Sequence, residues 1–163
     1  MIEPLVVVGV NGSRASAAAL RWAAEEADRR HARLRVVLGW SPRSDASYAL
    51  ADGRPTPEQQ RLTAGETLTT QLRSVFGSAL PRRITAEVAT GAAERVLVEE
   101  SADADLLVLG SATPRYSQAR SVGPVVRACL SRARCPVVVV SPAKVPSDPA
   151  REQPSHLVAV RGA

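Results

Sequence analysis

Uninterrupted apolar runs alternate along this chain with longer segments whose apolar residues recur at helical spacing. Residues 5–10, 34–40, 106–109 and 137–140 are almost wholly apolar, which is typical of strands covered on both faces. Residues 84–88 instead alternate between apolar and polar side chains, which predicts a strand nearer the edge of a sheet. The chain therefore predicts five strands.

Four segments between these runs have the periodicity of helices that bury one face. They cover about residues 14–31, 56–76, 91–102 and 123–134, and Ser13 is the predicted N-cap of the first. Residues 41–55 are rich in Pro, Gly, Ser and Asp and predict a long loop. The side chains expected to face the core are Ala17, Leu20, Ala24, Ala27, His31, Ala64, Leu68, Leu72, Val75, Phe76, Ala93, Val96, Leu97, Val125, Val126, Cys129, Leu130 and Ala133.

The alternation of strands and helices predicts an α/β fold, an open three-layer α/β/α sandwich around a five-stranded, mainly parallel sheet. Strands that are solidly apolar and separated by helices are joined by right-handed crossovers. The expected arrangement is Rossmann-like, with strand order 3-2-1-4-5. In such sheets ligands bind beyond the carboxyl ends of the strands, where the strand order reverses. The loops at residues 9–13 and 110–123 are therefore the candidate binding loops.

The second of these loops has a composition suited to holding phosphate. The fourth strand ends at Leu109 and Gly110, a polar loop follows, and Gly123 and Pro124 begin the next helix. Backbone N–H groups and the positive end of a helix dipole converge in such an arrangement. Whether the loop still binds phosphate depends on the residues that occupy its remaining positions.

Length and composition narrow the class of protein. We expect one domain at residues 1–141 in a chain of 163 residues, of which 45% are hydrophobic and only 3% aromatic. No apolar run approaches the ~20 residues that span a bilayer, and the N-terminus lacks the features of a signal peptide, so the predicted location is cytoplasmic. Cys129 and Cys135 are not in a metal-binding pattern and are expected to be structural thiols.

The net charge of +5 raises the question of nucleic acid binding. The arginines, however, are scattered near the ends of elements and are interleaved with acidic residues. No basic run carries the aromatic residues on which bases stack. We therefore expect no specific nucleic acid partner.

Several segments resemble the universal stress protein family. Residues 6–13 resemble its opening strand and turn, which usually reads V-G-V-D-G-S. Residues 105–111 resemble its fourth strand, and residues 123–140 resemble its last helix and closing C-P-V-x-V-V strand. The resemblance covers about residues 4–141 in matching order and implies the single-domain adenine-nucleotide alpha-hydrolase-like fold.

Nucleotide-binding members of that family carry G-x-x-G-x9-G-[S/T] in the loop after the fourth strand. Gly110 and Gly123 match its first and third glycines, but Thr113 replaces the second and Pro124 replaces the Ser or Thr. Asn11 stands where the family has an aspartate that contacts ribose or metal. The resemblance implies that the nucleotide contacts are Gly9, Val10, Asn11, Trp40, Leu109, Gly110, Thr113, Gly123, Pro124 and Val125.

Each departure weakens the expected site. A β-branched residue at position 113 disfavours positive φ and crowds an approaching phosphate. Pro124 removes an N–H and a hydroxyl, and Asn11 provides no charge for Mg²⁺. The loss of two donors at ~1 kcal/mol each corresponds to a tenfold to hundredfold weaker affinity. Hydroxyl groups and arginines could compensate, from Ser111, Thr113, Ser117, Arg115, Arg120 and Arg127.

These features predict a stress-response domain that acts by binding, with ATP and its Mg²⁺ bound weakly or not at all. The first alternative is a competent ATP-binding sensor that signals through a nucleotide-dependent interaction with another protein. The second is a weak adenine-nucleotide hydrolase. An enzyme is not expected, because His31 and His156 fall outside both candidate loops and no P-loop occurs. No catalytic or metal-binding residue is predicted, and Asp45 and Asp52 are expected to be solvated.

The last strand and the tail bear on the partners of the chain. Residues 137–140 form an apolar edge strand unless something covers it, and the resemblance implies a homodimer through Val137, Val138, Val139 and Val140. Residues 142–163 form a Pro-rich linker and a terminal segment, 156–163, that is similar to residues 6–13. This segment is interpreted as a vestigial opening strand, as an addition to a sheet edge of this chain or of a partner, or as a disordered tail.

Overall fold

The computed structural model of the protein describes residues 3–42, 54–111 and 122–142, together with the backbone of residues 157–160. Its parallel strands are β1 (Leu5–Gly9), β2 (Arg33–Trp40), β3 (Ile84–Thr90), β4 (Leu106–Gly110) and β5 (Val137–Val140). They lie in the order β3-β2-β1-β4-β5, so the expected strand order is confirmed. In the centre of the sheet Val6 is opposite both Leu34 of β2 and Leu106 of β4.

Four helices cover the two faces of this sheet. They are α1 (Arg14–Arg29), α2 (Pro57–Phe76), α3 (Ala93–Glu100) and α4 (Pro124–Arg132). Ser13 is the N-cap of α1, as predicted, because its side chain accepts a hydrogen bond from the N–H of Ser16. Thr56 and Gln59 form a reciprocal capping box at the start of α2. The three-layer α/β/α fold is confirmed.

Two apolar clusters hold the layers together, one on each face of the sheet. Val6, Val8 and Val36 point toward α1 and α2, whose Leu20 and Leu68 complete the first cluster. The second cluster joins alternate residues of the same strands to α3 and α4, through Val7, Leu107, Leu97 and Cys129 among others. Both faces of β1 are therefore covered, which explains why its sequence is apolar without alternation.

The predicted burial of helical residues is correct in α2 and only partly correct elsewhere. Ala64 and Leu68 are buried, and Leu72, Val75 and Phe76 pack against the first cluster. In α1 the buried residues are Ala15, Ser16, Ala19, Leu20, Ala23 and Ala27, whereas Ala17 and Ala24 are half-buried. Val96 and Leu97 of α3 and Val126 and Cys129 of α4 are buried, while Ala93, Val125, Leu130 and Ala133 are half-buried.

His31 does not lie on the buried stripe, so that prediction was wrong. Helix α1 ends at Arg29, and His31 is exposed with a φ of 52°. The N–H of His31 donates to the carbonyl of Asp28, and the N–H of Ala32 donates to the carbonyl of Ala27. This pair of bonds is the Schellman arrangement that satisfies the last carbonyls of a helix. The chain therefore leaves the helix before His31 can face the core.

A sixth strand, β6 (Leu157–Val160), pairs with β5. Its direction is antiparallel, unlike that of every other neighbouring pair in the described sheet. Val137 lies opposite Val160, and Val140 lies opposite Leu157. The β5 edge is therefore covered, and of the three interpretations of the tail the described backbone agrees with addition to the edge of the chain's own sheet.

None of the helices in the described part of the chain combines the length and the hydropathy of a membrane span.

Candidate functional site

The carboxyl ends of β1, β2 and β4 bring most of the predicted contact residues to one edge of the sheet. Val10 follows β1, Trp40 ends β2, and Gly110 ends β4. The first turns of α1 and α4 begin at the same edge, because each helix follows a parallel strand. Thr113 lies outside the described residues, as do Arg115, Ser117 and Arg120.

Gly110 is a point of contact between α1 and β4. A Cβ atom built at Gly110 would lie 2.4 Å from both the carbonyl carbon and the oxygen of Ala15, and 2.7 Å from the nitrogen of Ser16. All three are backbone atoms of the first turn of α1, so they cannot move aside as a side chain can. The absence of a side chain at this position lets the helix start directly above the end of the strand.

Gly9, Val10 and Leu109 are buried rather than presented to the edge. A Cβ atom at Gly9 would approach the side chains of Leu97 and Leu109 at 2.8 and 2.9 Å. Val10 is 6% exposed, and its N–H donates to the carbonyl of Val37 at 2.9 Å. These residues shape the floor of the site by packing, and their contact with a nucleotide stays a prediction.

Asn11 forms the turn between β1 and α1 with its own side chain. Its Oδ1 accepts a hydrogen bond from the N–H of Ser13 at 3.1 Å, and its N–H donates to the hydroxyl of Ser16 at 3.3 Å. Such an Asx-turn is a common local use of asparagine. The Asn11 side chain is exposed, and one of its two polar groups is already committed to the turn.

Gln71 of α2 is the residue that sequence reasoning missed. Its side chain is buried, and its Oε1 accepts from the N–H of Gly12 at 2.9 Å. Its Nε2 donates to the carbonyl of Ser13 at 3.0 Å and to the hydroxyl of Ser16 at 2.9 Å. This turn network, made of Gly12, Ser13, Ser16 and Gln71, ties α2 to the first candidate loop.

The backbone of Gly12 requires glycine. Its φ is 83°, and a Cβ atom there would lie 2.7 Å from the methyl group of Thr67. A cleft of about 430 Å³ borders the turn between the start of α1 and α2, and Ser13, Arg14 and Glu66 are among its lining residues. The turn is thus held in one conformation beside an open cleft.

No side chain of the described residues caps the first turn of α4. Gly123 is its N-cap and is exposed. A Cβ atom at Gly123 would meet no described residue within 4 Å. Pro124 occupies the first helical position and has no N–H, so the amides of Val125 and Val126 are the donors that the first turn retains.

Trp40 and Ser111 are placed by the sheet. Trp40 is half-buried against the first apolar cluster, and its carbonyl accepts from the N–H of Gly91 at 2.7 Å. Ser111 is 6% exposed, and its N–H donates to the carbonyl of Val140 at 2.9 Å. The indole therefore has a packing role, and its predicted contact with a nucleotide remains untested.

Among the residues that the structure describes, no three His, Cys, Asp or Glu side chains are grouped to hold a metal ion. Asp45, Asp52 and His156 lie outside that part of the chain. The two cysteines are free and buried. Burial raises the pKa of Cys129 to about 11 and also raises the pKa of Cys135. Both thiols are therefore protonated and unreactive at neutral pH, which agrees with a structural role.

Replacement of Gln71 by leucine should lower the free energy of unfolding by about 2 kcal/mol, because the N–H of Gly12 loses its partner and the carbonyl of Ser13 and the buried hydroxyl of Ser16 each lose one of theirs. Urea denaturation measures the change. Gln60→Leu is the matched control on the same helix, since the amide of Gln60 bonds the carbonyl of Pro55 in an exposed position. Equal stability of the Gln71 and Gln60 variants would show that the network does not hold α2 in place.

The chain is similar to known universal stress proteins over most of its length. A family model described as the universal stress protein family matches residues 5–141. A universal stress protein of Mycobacterium tuberculosis is 34% identical over 145 residues, which cover 89% of this chain and 50% of that protein. Another from the same organism is 30% identical over 144 residues, which cover 88% of this chain and 50% of that protein. The chain thus spans about half the length of these curated relatives.

Solved structures of similar fold hold adenine nucleotides. A universal stress protein in complex with cAMP has a TM-score of 0.62 at 22% identity, with coverage of 85% of this chain and 97% of that one. The Archaeoglobus fulgidus protein in complex with dAMP has a TM-score of 0.56 at 24% identity, with coverage of 85% and 97%. An Arabidopsis thaliana protein with AMP bound has a TM-score of 0.53 at 23% identity, with coverage of 91% and 99%. At these identities the likeness is one of fold.

Proposed function

The chain belongs to the universal stress protein family, and from that premise we propose that it is a stress-response domain that acts by binding rather than by catalysis. Its adenine-nucleotide site is weaker than that of the family's nucleotide-binding members. The class of ligand is supported by the similar structures, which hold cAMP, dAMP and AMP. The reduced strength of binding is proposed from the residues of this chain.

The hydrogen bonding of the first candidate loop carries the proposal. The N–H of Gly12 is bonded to Gln71, and Oδ1 of Asn11 is bonded to the N–H of Ser13. A ligand that used these groups would have to replace existing bonds, so it would gain less than from free donors. Asn11 also provides no negative charge for Mg²⁺, which prefers carboxylate and phosphate oxygens.

The competent ATP-binding sensor is a second candidate, and the start of α4 favours it. No side chain of the described residues caps this helix, and none of them comes within 4 Å of a Cβ atom placed at Gly123. The amides of Val125 and Val126 and the helix dipole could still receive a phosphate group. Arg127 is exposed within the same first turn and could add positive charge.

Calorimetric titration of the full chain with ATP and MgCl₂ separates the two candidates. We expect no heat of binding at micromolar ATP and at most weak saturation at millimolar ATP. The matched variant Asn11→Asp keeps the oxygen that accepts from Ser13 and adds the missing charge, so it should bind more tightly only when Mg²⁺ is present. Saturation of the unaltered chain at micromolar ATP would establish the sensor and contradict the weakened site.

The proposal includes action in the cytoplasm and self-association. In the structure the edge formed by Val137 to Val140 is paired with β6. Direct pairing of two β5 strands would require β6 to leave that edge. The predicted homodimer through the last strand is therefore proposed only for a state in which the partner of β5 has changed.

A further inference from the structure

A small pocket lies at the carboxyl end of α2. This α2 pocket has a volume of about 160 Å³ and a mostly apolar lining, which includes Leu72, Phe76 and Leu80. Helix α2 begins after the carboxyl end of β2 and ends before the amino end of β3, so the pocket lies at the amino edge of the sheet. The candidate nucleotide loops lie at the opposite edge. The α2 pocket is therefore separate from that site.

The α2 pocket has the size of one apolar side chain. An apolar cavity of about 150 Å³ is large enough to bind benzene, so this pocket can hold one aromatic ring or one branched aliphatic group. Leu80 is 43% exposed, and within the described residues the other exposed large hydrophobic residue is Leu62. Leu72 and Phe76 pack against the first apolar cluster and are held in place by it. The pocket thus presents apolar surface that a partner could cover.

The surroundings of the α2 pocket are positively charged. Arg73 lines the pocket, and Arg82 and Arg83 lie within three positions of its last lining residue. All three are exposed, and none forms an ion pair with another described residue. Residues 67–86 contain these three arginines and no acidic residue. The negative end of the α2 dipole is equivalent to about half a charge, so it offsets only part of this positive charge.

We propose that the α2 pocket is a docking site for an acidic segment of another protein that inserts one large apolar side chain. The inserted side chain fills the pocket and removes Leu80 from water, which is favourable in proportion to the apolar area covered. Carboxylates on either side of it pair with Arg73, Arg82 or Arg83, since arginine binds carboxylates in a bidentate geometry. One partner thereby uses both the apolar lining and the positive charge.

A lipid surface fits these features less well. Helices that bind to membranes present a row of large apolar side chains that enter the acyl boundary. On α2 the exposed Leu62 is about 20 Å from Phe76 along the helix, at ~1.5 Å per residue. The exposed apolar surface at the α2 pocket is thus a single concave site, which suits one inserted side chain.

The docking site rests on the proposed action by binding and extends it to a protein partner, but it does not use the nucleotide loops. A chain that fails to bind the acidic segment could still bind ATP, and a chain that fails to bind ATP could still bind the segment. Calorimetry with ATP and titration with peptide therefore give independent answers.

Titration of the isotope-labelled full chain with acidic peptides, followed by nuclear magnetic resonance, tests the docking. The probes are oligo-aspartate peptides with phenylalanine, leucine or tryptophan at the centre. We expect the amide signals of residues 72–80 to shift with at least one probe and to saturate by ~1 mM, as for a small, weak interface. The same peptide with serine at its centre should bind at least about tenfold more weakly, because it leaves the pocket unfilled.

Two pairs of matched variants separate the α2 pocket from the rest of the surface. Leu80→Ser should weaken the binding about fivefold, whereas Leu62→Ser, at the other exposed leucine, should leave it unchanged. Arg73→Glu should also weaken it about fivefold. Arg61→Glu makes the same change of charge at an exposed position about three turns earlier on α2, beyond a Debye length, and should have less than about a twofold effect. All four side chains are exposed, so the variants should keep the circular dichroism of the unaltered chain.

Three results would overturn the docking site. The first is the absence of shifts at residues 72–80 with every probe up to ~1 mM. The second is equal affinity for the peptides with apolar and serine centres, or equal losses within the matched pairs of variants. The third is sedimentation of the chain with vesicles of phosphatidylserine and phosphatidylcholine, abolished by Leu80→Ser, while no peptide binds. That result would identify a membrane surface as the partner.

Discussion

Replacement of Gly110 by alanine is expected to lower the free energy of unfolding by about 3 kcal/mol, the upper part of the range for an overpacked core. The new methyl group would lie 2.4 Å from the carbonyl group of Ala15, and neither atom of that group can rotate away. Relief requires the first turn of α1 to move off β4. Urea denaturation followed by circular dichroism measures the loss.

Two other glycines provide a graded comparison. Gly9→Ala meets only side-chain ends, of Leu97 and Leu109, so its cost should be smaller than that of Gly110→Ala. Gly65→Ala in α2 meets no described residue within 4 Å and should raise the stability by about 0.5 to 1 kcal/mol, because alanine favours the helix. A Gly110 variant within ~0.5 kcal/mol of the unaltered chain would contradict the packing of α1 against β4.

Conversion of the second loop to the family pattern, with Thr113→Gly and Pro124→Ser together, is expected to increase the affinity for ATP by tenfold to a hundredfold. Pro124→Ser adds an N–H and a hydroxyl at the open end of α4, and each donor contributes ~1 kcal/mol or more toward a charged phosphate. Thr113→Gly removes the β-branched side chain from a position where the family has glycine. Calorimetric titration of both chains gives the ratio.

Pro136→Ser is the matched control for the second change. Pro136 is also exposed, but it precedes β5 at the amino end of the strand, away from the candidate loops. It should leave the affinity unchanged. If the double variant gains no affinity, the residues at 113 and 124 are not what weakens the loop. Pro124→Ser measured alone then shows whether the start of α4 takes part in binding at all.

The sheet was predictable from the sequence because its apolar runs are continuous and too short to be helices. Four runs bounded by glycine or proline gave four buried strands, and the alternation at 84–88 gave the edge strand β3. The parallel order followed from the helices between them. The position of the candidate loops was predictable for the same reason, since it depends on strand order alone.

The buried face of α1 was less predictable because alanine occupies nearly half of the helix. Alanine is small enough to lie on either face, so spacing alone did not distinguish Ala17 from Ala19. The end of the helix is set by a residue in the left-handed region, and few residues other than glycine adopt that conformation, although histidine is enriched among those that do. Glycine or asparagine at that position would have given the signal.

Gln71 and β6 depend on contacts between distant parts of the chain. A single glutamine on a long helix is usually solvated, and its partner Ser16 lies 55 positions earlier in the sequence. The similarity of residues 156–163 to residues 6–13 suggested a strand, and its antiparallel pairing with β5 is a property of the folded chain. Neither feature could be predicted from the local pattern of the sequence.

Because the turn network joins the first candidate loop to α2, ligand binding at the loop and the packing of α2 each change the free energy of the other. A ligand that captured the N–H of Gly12 would deprive Oε1 of Gln71 of one of its two donors, the other being the hydroxyl of Ser16, and it would thereby loosen a contact between α2 and the turn before α1. Linkage requires the converse as well: whatever restrains α2 raises the free energy that such a ligand must overcome. A helix of 20 residues could in this way report the occupancy of a turn of three.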